Sequence, residues 1–254
     1  MTSHLPIRSA ALLLLLHCAC AASVARGLTI GADLAIVREP RPQQLLLAAS
    51  GVSNARLDHY AARLDALAAE YAPRDDPQTS PRERAAAIHA YLHQHVLRGK
   101  YLASASDLGD VLDGGPFNCA AASALFLTLA ARVGLDARPV SVKGHVWCRV
   151  GRGAETFDIE TTCREWFAIA KRDEHLPTAA VPPAMAEHRH RVATGRELSD
   201  RAFRAIFHFN RGVTLIRQGR FPAAAAANRQ ALALDPACRP AAENLEFAQS
   251  HAAG

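Results

Sequence analysis

The most constraining feature of this chain is the run Gly115-Pro116-Phe117-Asn118-Cys119, which leads directly into an Ala/Leu-rich segment ending at Gly134-Leu135. Asp113-Gly114-Gly115-Pro116 reads as a turn, Asn118 as a helix N-cap, residues 119–133 as the helix and Gly134 as its C-terminal glycine cap. Cys119 therefore falls in the first helical turn. There the unpaired backbone N–H groups and the positive end of the helix dipole favour the thiolate, which is the nucleophilic form of the side chain.

Downstream, residues 137–150 read as a strand, Gly151-Arg152-Gly153-Ala154 as a turn and residues 155–161 as a second strand, giving a hairpin. With a period of two, His145, Trp147 and Arg149 share one face of the first strand, and Thr156, Asp158 and Glu160 share one face of the second. A hairpin centred near Arg152 puts Asp158 level with His145 to Trp147, so an imidazole and a carboxylate are expected to meet. Gly144 leaves room for a substrate or another backbone to approach.

A thiol at a helix start, a strand histidine and an aspartate on the next strand are the groups that cysteine nucleophilic catalysis requires. In this reading Cys119 is the nucleophile, His145 moves the proton and Asp158 fixes the imidazole. The Cys119 backbone N–H is one oxyanion donor, and Asn118, Gly144 and Trp147 are supporting residues. Taken singly, a cysteine on an Ala-rich helix, a histidine beside Trp147 and an aspartate after Phe157 are each ordinary packing or turn residues. Their order and context carry the reading.

In these residues the chain resembles the transglutaminase-like superfamily, which has the papain-like fold, and in particular its small bacterial members with appended tetratricopeptide repeats. The resemblance covers residues 54–165 and rests on Gly115-Pro116-Phe117-Asn118-Cys119, Val142-Lys143-Gly144-His145-Val146-Trp147 and Phe157-Asp158-Ile159-Glu160. It implies that Cys119, His145 and Asp158 match the family triad and that the chemistry is acyl transfer at amides, as peptidase, amidase or cross-linking enzyme. Some relatives of this kind are inactive binding modules. The calcium sites of animal transglutaminases are not recognisable.

The flanking segments agree with an α+β domain. Half of the 254 residues are hydrophobic, enough for a full core, and the net charge of +5 is scattered, which gives no support for a nucleic-acid partner. Residues 54–70 form an amphipathic pattern with Leu57, Tyr60, Leu64 and Leu67 on one face. Residues 80–97 form another, opened by the capping box Ser80-Pro81-Arg82-Glu83. His89 and His93 lie four apart on that second helix, a spacing known from metal sites. With no carboxylate nearby a solvated or packed face is favoured, and neither metal nor cofactor is expected.

The ends of the chain read differently. Arg8, the apolar run from Ala10 to Leu16 and the small residues up to Ala25 look like a signal peptide (residues 1–25), cleaved after Ala21 or Ala25, with a lipid anchor at Cys20 as the minority alternative. The apolar run falls short of the roughly 20 residues that a membrane span needs. The expected location is therefore periplasmic or secreted, where Cys119, Cys148, Cys163 and Cys238 remain; Cys148 pairs with Cys163 or stays a buried thiol.

After a domain at 26–175 and a proline-bearing linker at 176–198, residues 199–254 read as helices. Gly212 and Leu215, Gly219-Arg220-Phe221, Ala224, Ala231 and Pro236 resemble one tetratricopeptide repeat, and residues 240–252 resemble its capping helix. A single repeat buries too little alone, so it is expected to dock on the first domain or on partner repeats.

The expected architecture is an α+β transglutaminase-like domain, helices packed on a small antiparallel sheet, followed by an all-α helical hairpin. The expected activity is thiol-dependent acyl transfer on a peptide or cell-envelope amide. The alternative from another class is a non-catalytic adaptor that binds a peptide or protein through the cleft and the repeat.

Overall fold

The computed structural model describes residues 41–173 and 194–252. The segment read as a signal peptide and most of the linker lie outside the described residues. The described chain forms part of one compact unit.

Helix α1 (Pro42–Ser50) starts with Pro at its first position, and Gln44 Oε1 accepts the Arg41 N–H at 2.9 Å. Helix α2 (Leu57–Tyr71) follows a 3₁₀ turn and buries Tyr60, Leu64, Ala68 and Tyr71 along one stripe. Helix α3 (Pro81–His95) opens with the expected capping box: Ser80 Oγ accepts the Glu83 N–H at 3.3 Å, and Glu83 Oε2 accepts the Ser80 N–H at 3.1 Å. A short helix α4 (Leu108–Leu112) is capped by Asp107.

Helix α5 (Cys119–Arg132) is central, with ten of its 14 residues buried. A helix buried on nearly every side must be covered on nearly every side. Helices α2 and α3 pack on one flank and the sheet packs on another. Arg84 of α3 secures the far end, donating to Asp75 at 3.0 and 2.7 Å and to the Val133 carbonyl at 2.6 Å.

The four-stranded antiparallel sheet has the order β3-β2-β1-β4, from β1 (Ala137–Val142), β2 (His145–Val150), β3 (Phe157–Ile159) and β4 (Arg196–Glu197). Two differences from the sequence reading matter. Residues 137–150 are two strands joined at Lys143-Gly144, with Val142 opposite His145 and Gly144 at φ +80°, a left-handed conformation that glycine adopts without steric cost. The chain also re-enters the sheet at β4, inside the segment read as linker, and the Leu198 N–H donates to the Pro139 carbonyl at 2.8 Å. Alternate β2 residues Val146, Cys148 and Val150 are buried in the core, which includes much of α5.

Helix α6 (Trp166–Asp173) follows β3, and after β4 come α7 (Asp200–Arg217), α8 (Phe221–Leu234) and α9 (Arg239–Ala252). Helices α7 and α8 approach closely because Gly212 lies against Asn228: a Cβ at Gly212 would fall 2.5 Å from Asn228 Nδ2. Alanines at 224, 225, 227 and 231 line the rest of the contact side of α8. The helices are docked, not free. Phe203 and Phe207 of α7 belong to the main hydrophobic core, and α7 packs on α1. No helix among the described residues is long and apolar enough to cross a membrane.

Candidate active site

The backbone around Cys119 is held from both sides. Asn118 Oδ1 accepts the Ala121 N–H at 3.0 Å, while its Nδ2 donates to the Ala103 carbonyl at 3.1 Å. Asn118 is therefore committed to capping the helix and fixing the loop before it, not to contacting a substrate. Phe117 exchanges backbone bonds with the crossing segment: its N–H donates to the Lys100 carbonyl at 3.1 Å, and its carbonyl accepts the Leu102 N–H at 2.9 Å. That crossing requires glycine at 99, where a Cβ would lie 2.0 Å from the Gly115 carbonyl oxygen. Cys119 is 9% exposed, at the mouth of the core.

The crossing brings in Tyr101, which the sequence reading missed. Its ring meets Phe117 edge-on at 6.3 Å and its hydroxyl lies beside Cys119. Burial first, then the negative charge of Cys119 and Glu160 beside it, raises the Tyr101 pKa. Gly99, permitting two backbones to pass, was the trace of this arrangement in the sequence.

His145 stands at the start of β2, beside Cys119. Its Nε2 lies 2.5 Å from Glu160 Oε2, so Nε2–H donates to the carboxylate and Nδ1 is the ring nitrogen left for sulfur. The expected partner was Asp158, and the structure places that residue elsewhere. Asp158 sits opposite Arg149 and accepts its Nε and a terminal nitrogen at 2.7 and 3.0 Å. The physical cause is loop length. Residues 151–156, including a 3₁₀ turn, connect β2 to β3, so the hairpin centre falls beyond Arg152 and Asp158 moves away from His145. Glu160, two residues on, keeps the same face and reaches the imidazole.

Glu160 is anchored in turn. Its Oε1 accepts the Thr162 N–H at 3.2 Å and the Thr162 hydroxyl at 2.6 Å. The neighbouring Thr161 is held by Ser123 Oγ of α5 at 3.0 Å, and its carbonyl accepts His93 Nε2–H of α3 at 3.0 Å. His93 and His89 are thus buried, with ring centroids 4.5 Å apart, and His93 steadies the Glu160 loop. Burial and the adjacent His93 hold the His89 pKa down near 4. No cluster that would hold a metal ion occurs among the described residues.

The electrostatics suit a charged pair. Burial opposes the charge on His145, but the interactions with Cys119 and Glu160 prevail and raise its pKa to about 10. For Glu160, burial pushes upward, and the His145 and Thr162 interactions outweigh it, leaving the carboxylate below its ordinary range. At neutral pH the imidazole is therefore an imidazolium facing sulfur on one side and a carboxylate on the other.

Trp147, 1% exposed, stacks against His145 with centroids 6.0 Å apart and limits its ring orientations. Gly144 belongs to the hairpin turn, and a Cβ there would meet nothing within 4 Å, so its contribution is the turn and not a close approach. Cys148 is fully buried with its thiol toward the Ser123 carbonyl at 3.7 Å, and Cys119, Cys148, Cys163 and Cys238 are all free thiols. The pairing of Cys148 with Cys163 does not form.

Arg149 continues the network to Glu197 at 3.4 Å, and Glu197 accepts from Arg138 at 3.0 Å. This chain of charges ties β3, β2, β1 and β4 together on one face, outside the thiol site.

In comparison with known proteins, residues 58–167 are similar to the family model of the transglutaminase-like superfamily. The matched stretch runs from α2 to the start of α6 and contains Cys119, His145 and Glu160. No curated protein and no solved structure matches the chain.

Proposed function

We propose that this protein is a thiol-dependent acyl-transfer enzyme acting on amide bonds of a peptide or cell-envelope substrate, with the papain-like arrangement of its superfamily domain. The observation that carries the reading is the His145–Glu160 contact at 2.5 Å beside Cys119, which stands at a helix start. Cys119 as thiolate attacks the amide carbonyl carbon. The tetrahedral oxyanion is met by the Cys119 backbone N–H, which has no intrahelical partner in the first turn, and by the Tyr101 hydroxyl. As the C–N bond breaks, His145 gives its proton to the departing amine and becomes neutral, leaving a thioester on Cys119. A water or an acceptor amine then loses a proton to His145 as it attacks the thioester carbon, and thiolate and imidazolium are restored. Glu160 holds the ring and its charge throughout, the role that the sequence reading assigned to Asp158.

The test is alkylation of Cys119 by iodoacetamide at pH 7, mapped by peptide mass, in the native chain and in His145→Ala. Fast labelling that drops about tenfold or more without the imidazole supports the enzyme. A thiol that is inert in both returns the domain to the class of binding modules, with the cleft and the C-terminal helices as an adaptor surface.

The same proposal includes an exported chain and a tetratricopeptide-type C-terminal hairpin. For export, N-terminal mass analysis of the mature protein is expected to find a start at Ala22 or Arg26, or a lipidated Cys20, and an intact Met1 in the cytosol would overturn it. For the hairpin, the support is the close α7–α8 approach at Gly212 and the small residues along α8.

A further inference from the structure

Beside the thiol lies a cavity of about 590 Å³ whose walls come from both parts of the chain. Cys119, Gly144 and His145 form one side. Helix α7 contributes Ala202, Ala205, Ile206 and Phe209 to the lining. Their spacing of i, i+3, i+4 and i+7 is a single helical stripe. The other face of α7 is spent in the core through Phe203 and Phe207. The stripe runs from the edge of that core, where Ala202 and Ile206 pack, into the cavity, with alanines creating width and Ile206 and Phe209 supplying apolar surface. Among the charged lining residues, Lys143 and Arg196 are exposed, and Arg196 pairs with Asp235 at 2.9 Å. The volume is within the usual range of about 300–1,000 Å³ for small-ligand sites.

We infer that this cavity is the subsite for an apolar side chain of the acyl donor, next to the carbonyl that Cys119 attacks, and that α7 is its specificity wall. The inference rests on the acyl-transfer reading and adds to it a substrate class, a peptide with an aliphatic or aromatic residue at that position. It also gives the C-terminal helices a direct part in substrate choice. A charged side chain seated against the apolar stripe of α7 would lose its water without gaining a partner on that stripe.

The experiment uses the full chain and four peptidyl chloromethyl ketones that differ only in the residue next to the reactive carbon: Leu, Phe, Asp or Lys. The thiolate displaces chloride and a thioether remains. Each labelling rate at Cys119 is divided by the iodoacetamide rate of the same protein, and peptide mass separates Cys119 from Cys238, which lines the same cavity. The Leu and Phe probes are expected to react about tenfold or more faster than the Asp and Lys probes. Phe209→Glu should shrink that preference and favour Lys, and Phe209→Ala should weaken the Leu and Phe probes should the glutamate variant not fold. Equal rates across the native panel, or a preference that neither variant alters, overturn the subsite. Failure of iodoacetamide itself to label Cys119 overturns instead the enzyme reading beneath it.

Discussion

Glu160 Oε2 and His145 Nε2 lie 2.5 Å apart, and through this contact a loop beyond β3 controls the ring that faces Cys119. The loop is itself fixed to α5 through Ser123 and to α3 through His93, so three separate elements determine one imidazole orientation. Such over-determination is what keeps a charged pair in a partly buried site.

The two carboxylates on this face should separate cleanly by mutation. Glu160→Gln removes the carboxylate charge that supports the imidazolium of His145, and alkylation of Cys119 near neutral pH should slow several-fold. Asp158→Asn should leave that rate close to native while lowering the melting temperature, because Arg149 loses its bidentate partner in a largely buried pair, a cost of about 1–3 kcal/mol. The reverse pattern, a slow Asp158 variant and an unaffected Glu160 variant, would restore the original expectation from the sequence.

The pH dependence follows from the directions of the two shifts. His145 rises from 6.5 to about 10 on folding, so its stabilising contribution is complete below about 6.5 and is lost as pH rises toward 10. Glu160 is lowered, so its contribution is present above its ordinary range and is lost as pH falls through the depressed value. Thermal melts from pH 6 to 10.5 should show the native chain losing stability on the alkaline side, and Glu160→Gln should show a shallower loss. Turnover should likewise fall above about pH 10, when His145 no longer holds the proton it gives to the leaving amine.

Tyr101 offers a separate test of the oxyanion site. Tyr101→Phe keeps the ring against Phe117 and removes the hydroxyl beside Cys119. Substrate turnover should fall by about 100-fold, as for loss of one oxyanion donor, whereas alkylation, which forms no oxyanion, should change far less. Equal effects on both reactions would mean that the hydroxyl acts on the thiol alone.

The C-terminal helices should be inseparable from the first domain. A chain ending before Ser199 exposes the core surface that Phe203 and Phe207 cover, and it should lose solubility and protease resistance. Gly212→Leu is a milder version, since any side chain there collides with buried Asn228; a destabilisation of about 1–3 kcal/mol in a thermal or denaturant melt is expected. An unchanged melt for either protein would show that the packing between α7 and its neighbours contributes little.

What the sequence by itself determined was local or strictly periodic. The Asn118 cap, the start of α5 at Cys119, the Ser80 capping box and the shared face of His145, Trp147 and Arg149 depend on a few neighbouring residues and on the repeat of helix or strand. Only the tertiary structure decided the partners. Alternation assigns Asp158 and Glu160 to the same face, and a two-residue step in register preserves that face while exchanging which carboxylate meets His145; the choice lies in the geometry of residues 151–156. Tyr101 reaches the thiol because two backbones cross at Gly99 and Gly115, and the cavity exists because α7, 81 residues or more beyond Cys119 by the numbering, turns one face to the core and the other to the site. Contacts between distant segments depend on how whole elements pack, and no short window of residues encodes that.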